Sequence, residues 1–166
     1  MNLFGFESDQ SFEYENGFHF TSNISRIGKI LSHYELYKKI SHLPGDIVET
    51  GVFKGSSFIR WLTFRNLLEN ENSRTVIGFD TFDTFPQSSL NKDDVYVKRF
   101  VEEAGEYSIS KKELEKICSF KNLNNFKLIE GNILETLPLY FEKNTHSKIA
   151  LLNIDTDTYD PAKIAL

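Results

Sequence analysis

Asp155 and Asp157 stand one residue apart at the end of an apolar run, Ile149-Ala150-Leu151-Leu152-Asn153-Ile154. Carboxylate oxygens are the donors that Mg²⁺ takes, one or two at a time, with water completing its shell. A hydroxyl on such a metal becomes more acidic, and a second carboxylate can remove its proton. The same two acids would also serve as loop residues before a helix opened by Pro161, where Asp160 is the nearer cap. Three other segments carry comparable polar ends on apolar bodies. They are Glu49 to Ser57, containing Gly51 and Gly55, then Asp80 after Thr75-Val76-Ile77-Gly78-Phe79, and Gly131-Asn132 after Phe126 to Glu130.

Gly51 and Gly55 bracket a tight turn into a helix, where bare backbone can approach a ligand and offer free N–H groups. The spacing is not G-x-G-x-x-G, and no Lys-Ser/Thr pair follows Gly55, so neither a dinucleotide fingerprint nor a Walker loop is present. Glu49 beside this turn would repel a pyrophosphate. It suits a cationic ligand, such as the amino group or sulfonium region of S-adenosylmethionine. Tight packing alone would also call for the two glycines. Asp80 can accept both ribose hydroxyls of a nucleoside, or cap a turn. Asn132 can meet an adenine edge, or simply turn the chain.

The elements that must position these residues follow from the hydrophobic period. Ile24, Ile27, Leu31, Tyr34, Tyr37 and Ile40 make a helical stripe that Pro44-Gly45 stops. Strands are expected at 46–52, 75–80, 126–130 and 148–155. Between them lie helices capped by Ser56 or Ser57 with Ile59, Leu62, Leu67 and Leu68 inward, one around 93–104, one starting at Ser110 with Glu113 in capping-box spacing, and one following Pro138. Residues 81–92, with Pro86, read as a loop. The alternation predicts right-handed crossovers and a parallel sheet covered on both faces, with ligands beyond the carboxyl ends of the strands.

Residues 1–21 are aromatic-rich and acidic with no clear period, which predicts an extended arm docked on the domain, or a lid; residues 22–166 form the domain proper. The apolar run at 149–154 would be an exposed edge with only one neighbouring strand. That predicts either a larger fold of which this is the C-terminally shortened part, or a partner chain, such as a second copy, over the edge.

Composition sets limits. The 166 residues suit one domain, and 19 basic against 24 acidic side chains give −5, which argues against a nucleic-acid binder or an anionic-membrane binder. A single cysteine, Cys118, excludes a disulfide scaffold, and no apolar run is long enough to span a bilayer, so a cytoplasmic globular domain is expected. Cys118 reads as packing, and His19, His33, His42 and His146, lacking ligand spacing, read as surface or interface residues.

Taken in order, Gly45-Asp46-Ile47-Val48-Glu49-Thr50-Gly51-Val52-Phe53-Lys54-Gly55-Ser56, Gly78-Phe79-Asp80-Thr81-Phe82 with Pro86, Gly131-Asn132 with Thr136-Leu137-Pro138, and Leu152-Asn153-Ile154-Asp155-Thr156-Asp157-Thr158-Tyr159 resemble the macrocin O-methyltransferase family. The resemblance covers roughly residues 22–166. It implies an α/β, Rossmann-like parallel sheet of the class I methyltransferase type, here without its C-terminal strands. It also implies S-adenosylmethionine-dependent methylation of a hydroxyl on a deoxysugar or nucleotide-linked sugar. Cofactor contacts would fall on Glu49, Gly51, Gly55, Ser56, Asp80 and Asn132, a Mg²⁺ ligand on Asp155 and the catalytic base on Asp157. The family continues into a further strand whose Asp-Asp pair completes the metal site, and this sequence stops before it. A binding-only remnant of the fold is therefore a second reading. A metal-dependent glycosyltransferase using Asp155-x-Asp157 is a third, although it gives Glu49 no role. A phosphatase with Asp155 as nucleophile would need acidic and lysine positions that the sequence does not supply.

Overall fold

A computed structural model describes residues 1–83, 105 and 107–166. Its centre is a parallel sheet of four strands: β3 (Asp46–Thr50), β4 (Val76–Asp80), β5 (Phe126–Glu130) and β6 (Ile149–Ile154). Their spatial order is β5-β4-β3-β6, so the two central strands are β3 and β4. Burial follows that order. All five residues of β4 are buried, whereas β6, hydrogen-bonded only to β3 among the described residues, is part-exposed along its length. The β-branched and apolar bodies of β3 and β4 suit a position covered on both faces.

One face of the sheet carries Ile47, Val76 and Leu128. Against it pack helices α2 (Ile24–Ile40), α3 (Ser56–Leu68) and α4 (Lys111–Phe120), through Tyr37, Phe58, Trp61, Leu62, Leu114 and Cys118. The other face carries Val48, Ile77 and Phe79, covered by Ile133 and Leu137 of α5 (Ile133–Lys143) and Ala165 of α6 (Tyr159–Ala165). Close approach of α3 depends on Gly78, where a Cβ would lie 2.8 Å from Val52 and 2.9 Å from Phe58.

Several expectations need correction. The N-terminal segment is not extended: a hairpin of β1 (Asn2–Leu3) and β2 (Phe6–Glu7) leads through a 3₁₀ turn to α1 (Ser11–Thr21). No residue of α1 is buried, so it imposes no apolar period for a sequence reading to find. The stripe on α2 is buried only at its C-terminal half, at Tyr37 and Ile40, while Ile24 is 85% exposed. His33, expected at the surface or an interface, is buried with them. On α3, Leu67 and Leu68 face solvent, and Phe58, Trp61 and Phe64 take the core. Neither Ser56 nor Ser57 caps α3; Gly55 holds the cap position at φ +80. Helix α5 starts before Pro138, because the Asn132 side chain accepts from the Leu134 N–H and caps it there. Ser110 caps α4 as its spacing predicts. The expected helix at 93–104 and Pro86 fall outside the described residues.

Two arginines close the end of the sheet opposite the strand carboxyl ends. Arg65, fully buried, donates to the carbonyls of Arg74, Asn124 and Asn125 at 3.0, 2.6 and 2.8 Å. Arg74 pairs with Glu69 at 2.9 Å and donates to the carbonyls of Ile40, Leu43 and Gly45. Buried carbonyls deprived of their donor keep their full desolvation cost. Arg65→Leu is therefore expected to lower unfolding free energy by about 3 kcal/mol, read from urea unfolding; a change below about 1 kcal/mol would show that these carbonyls find other donors.

Candidate active site

The carboxyl ends of β3, β4 and β6 converge on two clefts. A narrow slot of about 70 Å³ is lined by Asp80, Thr81, Asn132, Ile133 and Thr156, among others. A larger cleft of about 560 Å³ lies toward α1, α2 and α3. Gly51, Phe53, Asp155 and Asp157 line both, so the two clefts meet at these residues.

Asp80 organises the slot side. Its Oδ2 accepts from the N–H groups of Val52 at 2.8 Å and Phe53 at 2.9 Å. Its Oδ1 accepts from the Phe82 N–H at 2.8 Å and, at 3.4 Å, from the Thr81 hydroxyl. The carboxylate thereby fixes the turn that leaves β3 and the one that leaves β4. Both turns hold a non-glycine residue in the left-handed region, Phe53 at φ 50 and Phe82 at φ 52. Gly51, at φ +84, packs so closely on β6 that a Cβ would run into the Asp155 carbonyl. Gly55 lies against Leu114, 2.8 Å from where a Cβ would sit, and lines neither cleft. Close packing is thus a sufficient reason for both glycines, and Gly51 also forms cleft wall.

The remaining expected residues are placed as follows. Asn132 lines the slot while capping α5, and Ser56 lines the larger cleft. Asp155 and Asp157 stand at the junction, where Asp155 Oδ2 pairs with Lys29 Nζ at 3.1 Å. Partial burial in the cleft floor, then the charge of Asp155, raises the Asp157 carboxyl above its ordinary value. Glu49 is not brought to either cleft wall. It is fully buried on the Asp80 side of the sheet, its Oε1 accepting from Asn153 Nδ2 at 2.8 Å and its Oε2 unpartnered among the described residues. Burial raises its carboxyl to about 8, against the opposing pull of the nearby Ser57 hydroxyl and of the Asn153 hydrogen bond.

The sequence reading passed over the basic residues. Arg26, Lys29, Lys54 and Arg60 all line the larger cleft. Arg26 and Lys29, three apart on α2, share one helix face, and Arg60 lies one turn beyond Ser56 on α3. That spacing was the available signal. The buried His33 belongs to the same group: its Nδ1 lies 3.0 Å from Arg60 Nη1, and its ring stacks on Trp61 at 4.4 Å.

The donor chemistry suits the groups that the resemblance implies. The slot offers carboxylate and amide edges, the apolar Ile133, and a shielded Thr156 hydroxyl without a partner among the described residues. That combination fits a nucleoside. Asp155 and Asp157 supply hard oxygens of the kind that holds Mg²⁺, although a metal on Asp155 must release Lys29. Among the described residues no cluster of three or more metal-ligating side chains is present.

The fold is an α/β, Rossmann-like parallel sheet of the class I methyltransferase type. The chain belongs to the macrocin-O-methyltransferase (TylF) family, whose model matches residues 32–166. Among solved structures it is similar to CalS11, a calicheamicin methyltransferase, with 28% identity and a TM-score of 0.70 over 96% of this chain and 65% of that one. The apo structure of CalS11, described as a TDP-rhamnose 3'-O-methyltransferase, matches at 27% identity and TM-score 0.63, over 96% of this chain and 63% of that one. The O-methyltransferase NovP, at 20% identity and TM-score 0.63 over 80% and 55%, shares the fold. The chain thus spans less than two thirds of the length of these proteins. No curated protein sequence matches it significantly.

Glu49 generates a pH prediction. Its carboxyl ionises near 4.5 in the unfolded chain and near 8 in the folded one. Between those values the folded state keeps a proton that the unfolded state has released, so stability falls as pH rises through the window and levels off above it. Glu49→Gln removes that slope. Between pH 5.5 and 8.5 the wild type is expected to lose on the order of 2–4 kcal/mol more than the variant in urea unfolding. Equal losses in the two proteins would mean that Glu49 folds already ionised.

Proposed function

We propose that this chain carries the cofactor-binding and catalytic part of an S-adenosylmethionine-dependent O-methyltransferase acting on a sugar hydroxyl, in the cytoplasm. The observation that carries the reading is the junction of the two clefts at Gly51, Asp155 and Asp157, in a chain of this family. The slot takes the nucleoside, with Asp80 and Asn132 at its polar edge and Ile133 against its apolar face. Gly51 and Ser56 flank the path from slot to cleft. Glu49 acts from beneath, as the buried acid that supports Asn153 and the β3–β6 pairing.

S-adenosylmethionine, held along the slot by Asp80, Asn132 and Ile133, would supply an electrophilic methyl group to the acceptor oxygen, its sulfur keeping the electron pair of the broken carbon–sulfur bond as S-adenosylhomocysteine leaves. Asp157 accepts the proton that the acceptor hydroxyl gives up. Its raised carboxyl is the stronger base for that task. Asp155 would hold Mg²⁺, which would lower the pKa of the acceptor hydroxyl. The rigid turn set by Asp80 keeps the cleft walls in place, so positioning supplies a large share of the rate.

The direct test is transfer of a labelled methyl group from S-adenosylmethionine to sugar and sugar-nucleotide acceptors, with and without a chelator. Asp157→Asn is expected to lower kcat by about 10²–10⁴-fold while leaving S-adenosylhomocysteine affinity within threefold. Asp80→Ala is expected to weaken S-adenosylhomocysteine binding far more than Asp157→Ala does, as read by isothermal titration. Equal effects of the two alanine variants would remove the assigned roles. Binding of S-adenosylhomocysteine with no transfer to any acceptor would favour the binding-only reading.

A further inference from the structure

We propose that Lys54 is a positioning residue for the nucleoside slot: its ammonium ties the turn after β3 to the N-terminal hairpin and to residues 107–109, and so fixes two residues of the slot wall, Phe53 and Ser108; this rests on the methyltransferase reading and adds a residue that acts on the slot from outside it. Lys54 stands inside the Gly51–Gly55 turn, where nothing so far gives it a part, and of the two clefts it lines only the larger.

Three separate pieces of chain meet at the ammonium. Nζ donates to the Tyr107 carbonyl, and it stands 4.9 Å from the centre of the Phe53 ring and 5.4 Å from that of Phe4. Among the described residues no carboxylate pairs with it. A carbonyl and two ring faces therefore stand where a counter-ion would. Ring faces attract a cation through their quadrupole, the more so as water is excluded, and a carbonyl accepts more strongly from a charged donor than from a neutral one.

Each partner is anchored again beyond the ammonium. On the hairpin that carries Phe4, the Asn2 carbonyl accepts from Lys116 Nζ of α4 at 2.7 Å. After Tyr107, the Ser108 N–H donates to the Asp83 carbonyl at 3.1 Å and the Ile109 N–H to the Phe53 carbonyl at 2.8 Å. Residues 107–109 thus join the chain leaving β3 to the chain leaving β4, with Ser108 on the slot. Asp80 joins the same two turns by gathering their N–H groups. A carboxylate can only accept and an ammonium can only donate, so the two charges brace complementary backbone groups.

Phe53 is the residue with most to lose. It lines both clefts and holds φ 50, a conformation that persists only while its surroundings over-determine it. Removing the ammonium leaves the Phe53 ring and the Tyr107 carbonyl without their common partner. The slot wall gains freedom that a ligand must then remove, and affinity falls although no ligand contact is deleted.

Isothermal titration with S-adenosylhomocysteine, on the wild type, Lys54→Met and Lys54→Arg, tests this, together with hydrogen exchange at the amides of residues 2–7 and of Ile109. Lys54→Met removes the charge and keeps a long side chain. It is expected to weaken binding about tenfold or more and to speed exchange at both sets of amides, with exchange in the buried strand β4 unchanged. Lys54→Arg keeps a cation that donates and stacks on rings. It is expected to stay within about threefold of wild-type affinity and to restore protection, a rescue that loss of general stability would not show. Wild-type affinity in Lys54→Met overturns the proposal, as does Lys54→Arg binding as weakly as Lys54→Met. Wild-type exchange in Lys54→Met removes the tie itself. Absence of S-adenosylhomocysteine binding to the wild type is instead the failure of the methyltransferase reading, and exchange then decides the tie alone.

Discussion

The carboxylate of Asp80 is the contact on which the geometry of the site depends. Placed at the end of a strand that is buried throughout, it accepts backbone N–H groups from the turn after β3 and from the turn after its own strand. Phe53 and Phe82 are held in left-handed conformations that cost an L-residue roughly 1–2 kcal/mol each. Charge-assisted hydrogen bonds from the adjoining amides are strong enough to offset that strain. Once those turns are fixed, Gly51 can press against the end of β6, and Asp155 and Asp157 leave that strand where the two clefts meet.

Guanidinium groups act in opposite ways at the two ends of the sheet. At the amino ends of the strands, Arg65 and Arg74 are turned to structural use: their donors meet backbone carbonyls, the Asn66 side-chain oxygen and Glu69. At the carboxyl ends, Arg26 and Arg60 have no carboxylate at ion-pair distance among the described residues, and Arg60 meets a neutral imidazole, that of His33. The same residue type is structural where its donors are used and available for recognition where they are not. The buried ionisable groups near the cleft follow a related rule, since burial pushes both Glu49 and His33 toward their uncharged forms.

The sheet was legible in the sequence because buried parallel strands leave an unmistakable mark. Four short apolar runs predicted β3 to β6 to within a residue or two, and the clefts open at their polar ends. The helix faces were less legible. Leu67 and Leu68 look like core residues, but α3 turns them to solvent because Trp61, Phe64 and Arg65 fill the space beneath. The cap of α5 was hidden because Asn132 has two uses, and Pro138 suggested a later start. His33 was misread because its partners, Arg60 and Trp61, are far from it in sequence and adjacent only after α2 packs on α3. The cationic cleft went unseen for the same reason: its basic residues are scattered across the sequence between positions 26 and 60.

On the proposed reading, Asp80 would both brace the backbone and bind a ligand. A carboxylate has about four acceptor positions. Three are taken at 2.8–2.9 Å by the N–H groups of Val52, Phe53 and Phe82. The fourth meets the Thr81 hydroxyl at 3.4 Å, much the longest of the set and close to the limit of a useful bond. A ribose hydroxyl entering the slot would compete with Thr81 alone, because displacing any of the three amides would release a strained turn. The bracing bonds would therefore be retained on binding, and the weak bond would be the one exchanged. On this accounting, loss of the carboxylate acts on affinity by two routes at once, through the missing acceptor and through the relaxed turn at Phe53.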